Sequence, residues 1–151
     1  MQQIQKNLKT SSVIVLALAG LTLLNILFEL FFGELSAELS GAATPEGAPD
    51  NVVLIAKIFI LAVSVIMLLP QAYIGFKGIK LSKTPDKSGA HIIWGIILIV
   101  FTAAGLISPL VAFFSGDGEA FADASEFLSI AVDAFVLYEY VKHARALRSA
   151  A

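Results

Sequence analysis

Cysteine is absent from the 151 residues, and only 15% of the residues carry a charge. Without thiols the chain cannot form disulfides, use a cysteine nucleophile or hold an iron–sulfur cluster. Hydrophobic residues make up 58% of the sequence, whereas a soluble domain is typically about 45–50% apolar and about 25% charged. A chain this short has little interior in which to bury so much apolar surface. The composition therefore disfavours a water-soluble globule and excludes a disordered chain.

Three common enzyme motifs are also missing from the sequence. It contains no phosphate-cradling Walker loop, no Gly-x-Ser-x-Gly nucleophile elbow and no His-Glu-x-x-His metal motif. Two imidazoles, His91 and His143, would suit a haem or a metal if neighbouring helices brought them together. Their positions next to basic segments favour interfacial side chains instead. We therefore expect a non-enzymatic protein with no cofactor and no metal site.

The apolar residues are concentrated in four long runs, and a membrane-spanning helix needs roughly 20 predominantly apolar residues. The runs cover residues 12–32, 52–76, 92–114 and 121–141. The first is longer than the ~7–15-residue core of a secretory signal, so we expect it to be retained as a span. The fourth is more polar, which leaves an amphipathic helix on the membrane surface as an alternative. The acidic residues that raise this alternative are Asp123, Glu126, Asp133 and Glu139.

Basic residues decide between these alternatives, because they mark the cytoplasmic side of a membrane protein. Nine of the ten Lys and Arg residues lie before the first run, between the second and third, or after the fourth. The other two connections carry acidic residues and no Lys or Arg. Four crossings place all three basic segments on one side, whereas a surface-lying fourth helix would strand the basic C-terminal tail on the acidic side. The charge pattern thus predicts four spans with both termini in the cytoplasm.

Short connections place consecutive helices side by side, so the sequence predicts an all-α, integral membrane, antiparallel four-helix bundle. We expect one transmembrane domain over residues 1–151, in a bacterial inner or plasma membrane. Its predicted connections are an outer loop at 33–51, a basic inner loop at 77–91 and a basic tail at 142–151. The basic inner face is expected to attract anionic lipid headgroups. No nucleic-acid partner is expected.

Polar residues inside the spans recur at three, four and seven residues, the spacing of one helix face. Charges within the hydrocarbon region are rare because each costs several kcal/mol, and they are usually paired or functional. At ~1.5 Å per residue, Glu29, Lys57 and Glu126 fall at similar depths in the outer half of the bilayer, which predicts an ionic cluster. Asp133 lies about two turns deeper, and the amides Asn25 and Gln71 complete the predicted intramembrane polar set. Two interpretations stay open: structural pairing, and the chemistry of a proton- or cation-coupled carrier.

Two short segments carry a resemblance to other proteins. The segments 71–80 (QAYIGFKGIK) and 91–95 (HIIWG) resemble uncharacterised small bacterial four-span membrane proteins. This resemblance covers about a quarter of the chain and implies a four-span fold but no activity and no site residues. Small multidrug exporters also have four spans and a membrane carboxylate, but the strong charge bias and the long acidic outer loop depart from them.

The sequence as a whole favours a non-enzymatic multi-pass membrane protein that acts as an accessory, assembly or interaction component. We expect it to associate with itself or with another membrane protein. The alternative is a small proton- or cation-coupled transporter or channel subunit that uses the intramembrane carboxylates.

Overall fold

A computed structural model of the chain describes residues 2–33, 51–115 and 120–150. These residues are all helical apart from short connections, and no strand occurs among them. The helical segments are α1 (Gln2–Phe31), α2 (Asn51–Lys83), α3 (Ala90–Gly105), α4 (Ile107–Ser115) and α5 (Ala120–Ala150). Because only Leu106 separates α3 from α4, the described chain consists of four helices, one of them broken. The all-helical fold expected from the sequence is thus confirmed.

Prolines explain two of the helix boundaries. The residue before a proline is biased away from the helical region, and α2 ends at Lys83, just ahead of Thr84 and Pro85. A proline also has no N–H to donate to the carbonyl four residues earlier. For Pro109 that carbonyl belongs to Gly105, where α3 ends. The helix breaks there. The Leu106 N–H donates to the carbonyl of Ala103, three residues earlier, at 3.1 Å, whereas an α-helix bonds residues four apart.

Two helices, α1 and α2, are long and apolar enough to cross a membrane. The shorter α3 is apolar over its 16 residues. None of the most apolar 18-residue window of α2 is buried inside the protein, and only 17% of the corresponding window of α1 is. The core helix of a soluble protein would be mostly buried, so these two helices present their apolar side chains outward.

The chain divides into two compact units. The large unit comprises residues 1–18 and 70–151, and the small unit comprises residues 19–69. In the small unit, Leu30 is fully buried. In the large unit, α3 packs along α5, and α4 contacts both. The core of the large unit is built from α1, α2, α3 and α5 and contains Leu8, Val15, Ile74, Leu81, Ile92, Leu137, Tyr140, Val141, Ala144 and Leu147.

Glycines allow the helices of the large unit to approach closely. A Cβ at Gly75 would lie 2.5 Å from Leu16 Cγ, and one at Gly95 would lie 2.6 Å from Val141 Cγ2. A Cβ at Gly78 would overlap Ser12 Oγ. Small residues permit such close contact between helices, as they do in membrane bundles. The sequence alone did not single out these contacts among the many apolar residues.

Candidate functional site

The predicted intramembrane polar residues are divided between the two units. Asn25 and Glu29 on α1 and Lys57 on α2 belong to the small unit, whereas Gln71 on α2 and Asp133 on α5 belong to the large unit. The side chain of Glu126 lies outside the described residues. The ionic cluster of Glu29, Lys57 and Glu126 therefore stays a prediction.

Within the small unit, Lys57 is half-buried and its ammonium lies over an aromatic ring. The Nζ atom is 5.7 Å from the centroid of Phe31, within the range of a cation–π interaction. The Glu29 carboxylate folds back against the backbone of Gly33, where a Cβ would overlap its Oε2 atom. Asn25 is exposed on the surface of α1.

Asp133 differs from the other polar residues of the predicted set. It is half-buried on α5, and its carboxylate has no hydrogen bond or ion pair with any residue of the described ranges. Gln71 is likewise half-buried, directly after Pro70. A half-buried carboxyl without a partner has to satisfy its hydrogen-bonding capacity by other means, such as a proton, a water molecule or a cation.

A second polar cluster lies in the core of the large unit, and the sequence analysis did not identify it. His91 at the start of α3 is only 1% exposed, and Ser12 and Tyr140 are fully buried. The His91 and Tyr140 rings meet edge to face, with centroids 6.3 Å apart and an interplanar angle of 82°. The sequence placed His91 at the membrane rim, but close packing around Gly78 and Gly95 encloses this region. The sequence signal that could have indicated it is the pair Gly75 and Gly78, three residues apart on one face of α2.

Two polar atoms of this cluster have no hydrogen-bond partner. They are His91 Nδ1 and the Tyr140 hydroxyl, whereas the Ser12 hydroxyl donates to the Leu8 carbonyl at 2.6 Å. Burial lowers the pKa of His91 below its usual value, and the positive charges of Lys77 and Arg148 lower it further, although Asp86 acts in the opposite direction. His91 is therefore neutral at pH 7.

A third polar group connects α1 to α5. Gln3 donates to Asn7 Oδ1 at 2.9 Å, which leaves Asn7 Nδ2 to donate to His143 Nε2 at 3.3 Å. A neutral His143 then carries its proton on Nδ1, which faces Glu139 Oε2 at 3.7 Å, too far for a hydrogen bond. Glu139 also accepts from Lys142 at 2.9 Å, and this bond raises the pKa of Lys142. The group borders a groove of about 450 Å³.

The loop between α2 and α3 is held by one carboxylate. Asp86 accepts from Lys77 Nζ at 3.0 Å and from the Ser88 backbone N–H at 2.7 Å. These two hydrogen bonds, with that from Lys77 the stronger influence, lower the pKa of Asp86. The loop is thus held against the end of α2 by a polar contact rather than by apolar packing.

Within the described ranges, no group of three or more His, Cys, Asp or Glu residues is placed to hold a metal ion. What the fold defines is a class: an all-helical protein with two helices long and apolar enough to cross a membrane. No family model, curated protein or solved structure matches the chain.

Proposed function

We propose that the chain is an integral membrane protein built as an antiparallel four-helix bundle, with both termini in the cytoplasm. In this arrangement α1, α2 and α5 are the first, second and fourth spans, and α3 and α4 together form the third. Support comes from the outward-facing apolar windows of α1 and α2 and from the basic residues that flank the runs on one side only.

Topology can be tested with single cysteines because the chain has none of its own. Ser40→Cys lies in the predicted outer loop and Ser88→Cys in the inner loop. A membrane-impermeant maleimide added to intact spheroplasts should label Ser40→Cys, and should label Ser88→Cys only after lysis. Equal labelling of both variants before lysis would contradict the proposed topology.

In function, the chain is a non-enzymatic interaction component of the membrane that binds another membrane protein through α2. One observation carries this proposal: α2 leaves its apolar side chains uncovered along its length. None of its most apolar 18-residue window is buried, and Phe59 and Met67 on it are 69% and 68% exposed. Contiguous exposed apolar surface indicates a lipid- or protein-contacting face.

Photo-crosslinking in intact membranes distinguishes lipid from protein on this face. A photoreactive amino acid is placed at Phe59 or Met67, with Phe101 on α3, 68% exposed, as the matched control position. A discrete protein adduct from the α2 positions and not from Phe101 supports the proposal, and an adduct of twice the chain's mass identifies the partner as a second copy. Lipid adducts alone from all three positions would refute it.

One observation favours a second function, that of a small proton- or cation-coupled transporter. The Asp133 carboxylate is half-buried and has no partner within the described part of the chain, which leaves it available to exchange a proton or a cation. Purified protein in liposomes should then conduct protons or cations, and Asp133→Asn should abolish the flux. Asp50→Asn, at a carboxylate of the predicted outer loop, removes the same charge and is the matched control. Equal flux with Asp133→Asn, or no flux in any variant, rejects this function.

A further inference from the structure

A groove of about 540 Å³ lies in the large unit, between the start of α3 and the end of α5. Arg145, Arg148 and Ser149 line one side of it, and Ile92, Ile93 and Ile96 line the other. Both arginines are exposed, and Ile93 is 60% exposed. The groove therefore combines two cationic side chains with an apolar wall.

Arg148 is held against the start of α3. Its Nη1 atom lies 2.8 Å from the position that a Cβ on Gly89 would occupy, so the guanidinium lies against the backbone of Gly89. Gly89 is the N-cap of α3 and provides no side-chain cap. The first N–H groups of a helix have no partner within the helix and give its N-terminus a partial positive charge. A cation and a helix N-terminus thus lie side by side, an arrangement that an anion would stabilise.

Other charges near the groove increase the positive potential. Neither Arg145 nor Arg148 forms an ion pair with a carboxylate of the described segments. The charges of Arg148 and Lys77 both act on His91, the second residue of α3, and add to the effect of burial in lowering its pKa. Asp86 offsets this only in part and is itself bound to Lys77.

We infer that this groove binds an anionic phospholipid, with its phosphate between Arg145, Arg148 and the start of α3, and its first acyl carbons along Ile93 and Ile96. Guanidinium groups bind phosphate through paired, charge-assisted hydrogen bonds. The isoleucine wall favours a lipid over a soluble phosphate, because an inorganic ion gains nothing from apolar contact. The inference rests on the proposed membrane insertion, which brings the cytoplasmic ends of α3 and α5 to the headgroup layer.

The test compares lipid binding by purified full-length protein in a neutral detergent at about 0.15 M salt. Phosphatidylglycerol, phosphatidylcholine and inorganic phosphate are titrated separately, and bound lipid is counted by native mass spectrometry. Arg145→Gln/Arg148→Gln should weaken phosphatidylglycerol binding about 10- to 30-fold, from a surface attraction of ~1 kcal/mol per basic residue. Lys6→Gln/Lys9→Gln removes the same charge from exposed positions on α1 that do not line this groove and should change binding less than about threefold, because exposed charges outside the site are screened by salt.

Further variants separate the sources of binding. Ile93→Asn should weaken binding of phosphatidylglycerol but not of inorganic phosphate, whereas equal weakening of both, or of neither, would overturn the lipid assignment. Equal loss of phosphatidylglycerol binding in the arginine and lysine double variants would also overturn it. Resistance of the wild-type chain to carbonate extraction from membranes tests insertion independently. If the chain resists extraction but shows no arginine-dependent lipid preference, the proposal of a lipid-binding groove is wrong and the proposed function still stands.

Discussion

Gly78 on α2 lies so close to Ser12 on α1 that a Cβ at this position would overlap the Ser12 hydroxyl. The Tyr140 ring closes the other side, with Cε2 2.6 Å from the same point. Ser12 cannot easily move away, because its hydroxyl is bonded to the Leu8 carbonyl and its side chain is fully buried. Residues of α1 and α5 thus pack directly against the α-carbon of Gly78 on α2.

Gly78→Ala should therefore destabilise the protein by about 1–3 kcal/mol, the usual cost of overpacking a well-packed core. The measurement is the melting temperature of purified protein in detergent. Gly20→Ala is the matched control, because a Cβ there has nothing within 4 Å and alanine in a helix is favoured over glycine by about 0.5–1 kcal/mol. Equal melting temperatures for the two variants would contradict the close packing.

Acid should destabilise the protein through His91. Because burial lowers the pKa of His91 below its usual 6.5, the unfolded chain takes up a proton at a higher pH than the folded chain does. The contribution of His91 to stability is thus constant above about pH 6.5, decreases as the pH falls below it, and levels off below the folded pKa.

His91→Phe keeps an aromatic ring against Tyr140 and removes both the titration and the unpartnered Nδ1 atom. Its melting temperature should depend less on pH between 7 and 5 than that of wild type, and should be at least as high at pH 5. An identical acid dependence in the two proteins would assign the effect to another group. His143→Gln, at a histidine that bonds Asn7, serves as the comparison.

The Tyr140 hydroxyl should contribute little to stability. It is buried without a hydrogen-bond partner, and removing such a group avoids its desolvation cost. The free energy of unfolding of Tyr140→Phe, from thermal melting, should lie within about 1 kcal/mol of the wild-type value or above it. That of Tyr140→Ala should be about 3–5 kcal/mol lower, the usual cost of truncating a buried aromatic side chain. Tyr138→Phe, at a 56% exposed ring, is the control. A larger loss for Tyr140→Phe than for Tyr138→Phe would show that the buried hydroxyl is bonded, for example to water.

The predicted ionic cluster can be tested at Lys57. Lys57→Met should lower thermal stability by about 1–2 kcal/mol, because it removes the cation above Phe31 and, in the predicted cluster, the positive charge that would pair with Glu29. Lys57→Glu should lower stability further by repulsion, and Lys57→Arg should retain most of it. Unchanged folded yield and melting temperature in both Lys57→Met and Lys57→Glu would exclude a stabilising role for this ammonium.

The helices and their order along the chain were predictable from the sequence, whereas the contacts between their side chains were not. Runs of apolar residues gave the helices, because hydrophobic length and the absence of breakers specify them locally. Pro109 lies within the third run and can kink its helix, but the position of the break, at Leu106, follows only from the backbone hydrogen bonds. His91 looked interfacial because its sequence neighbours are basic. Its burial depends on Tyr140, which contacts it from a distant position in the sequence.

The break at Leu106 has a consequence for biosynthesis. At ~1.5 Å per residue, the 16 residues of α3 span about 24 Å, which is short of the ~30 Å hydrocarbon core. In the proposed topology the third crossing is complete only when α4 has also left the ribosome, and both α3 and α4 contact α5. A chain truncated after Leu106 would therefore end inside the bilayer and would lack the third and fourth crossings that α4 and α5 complete.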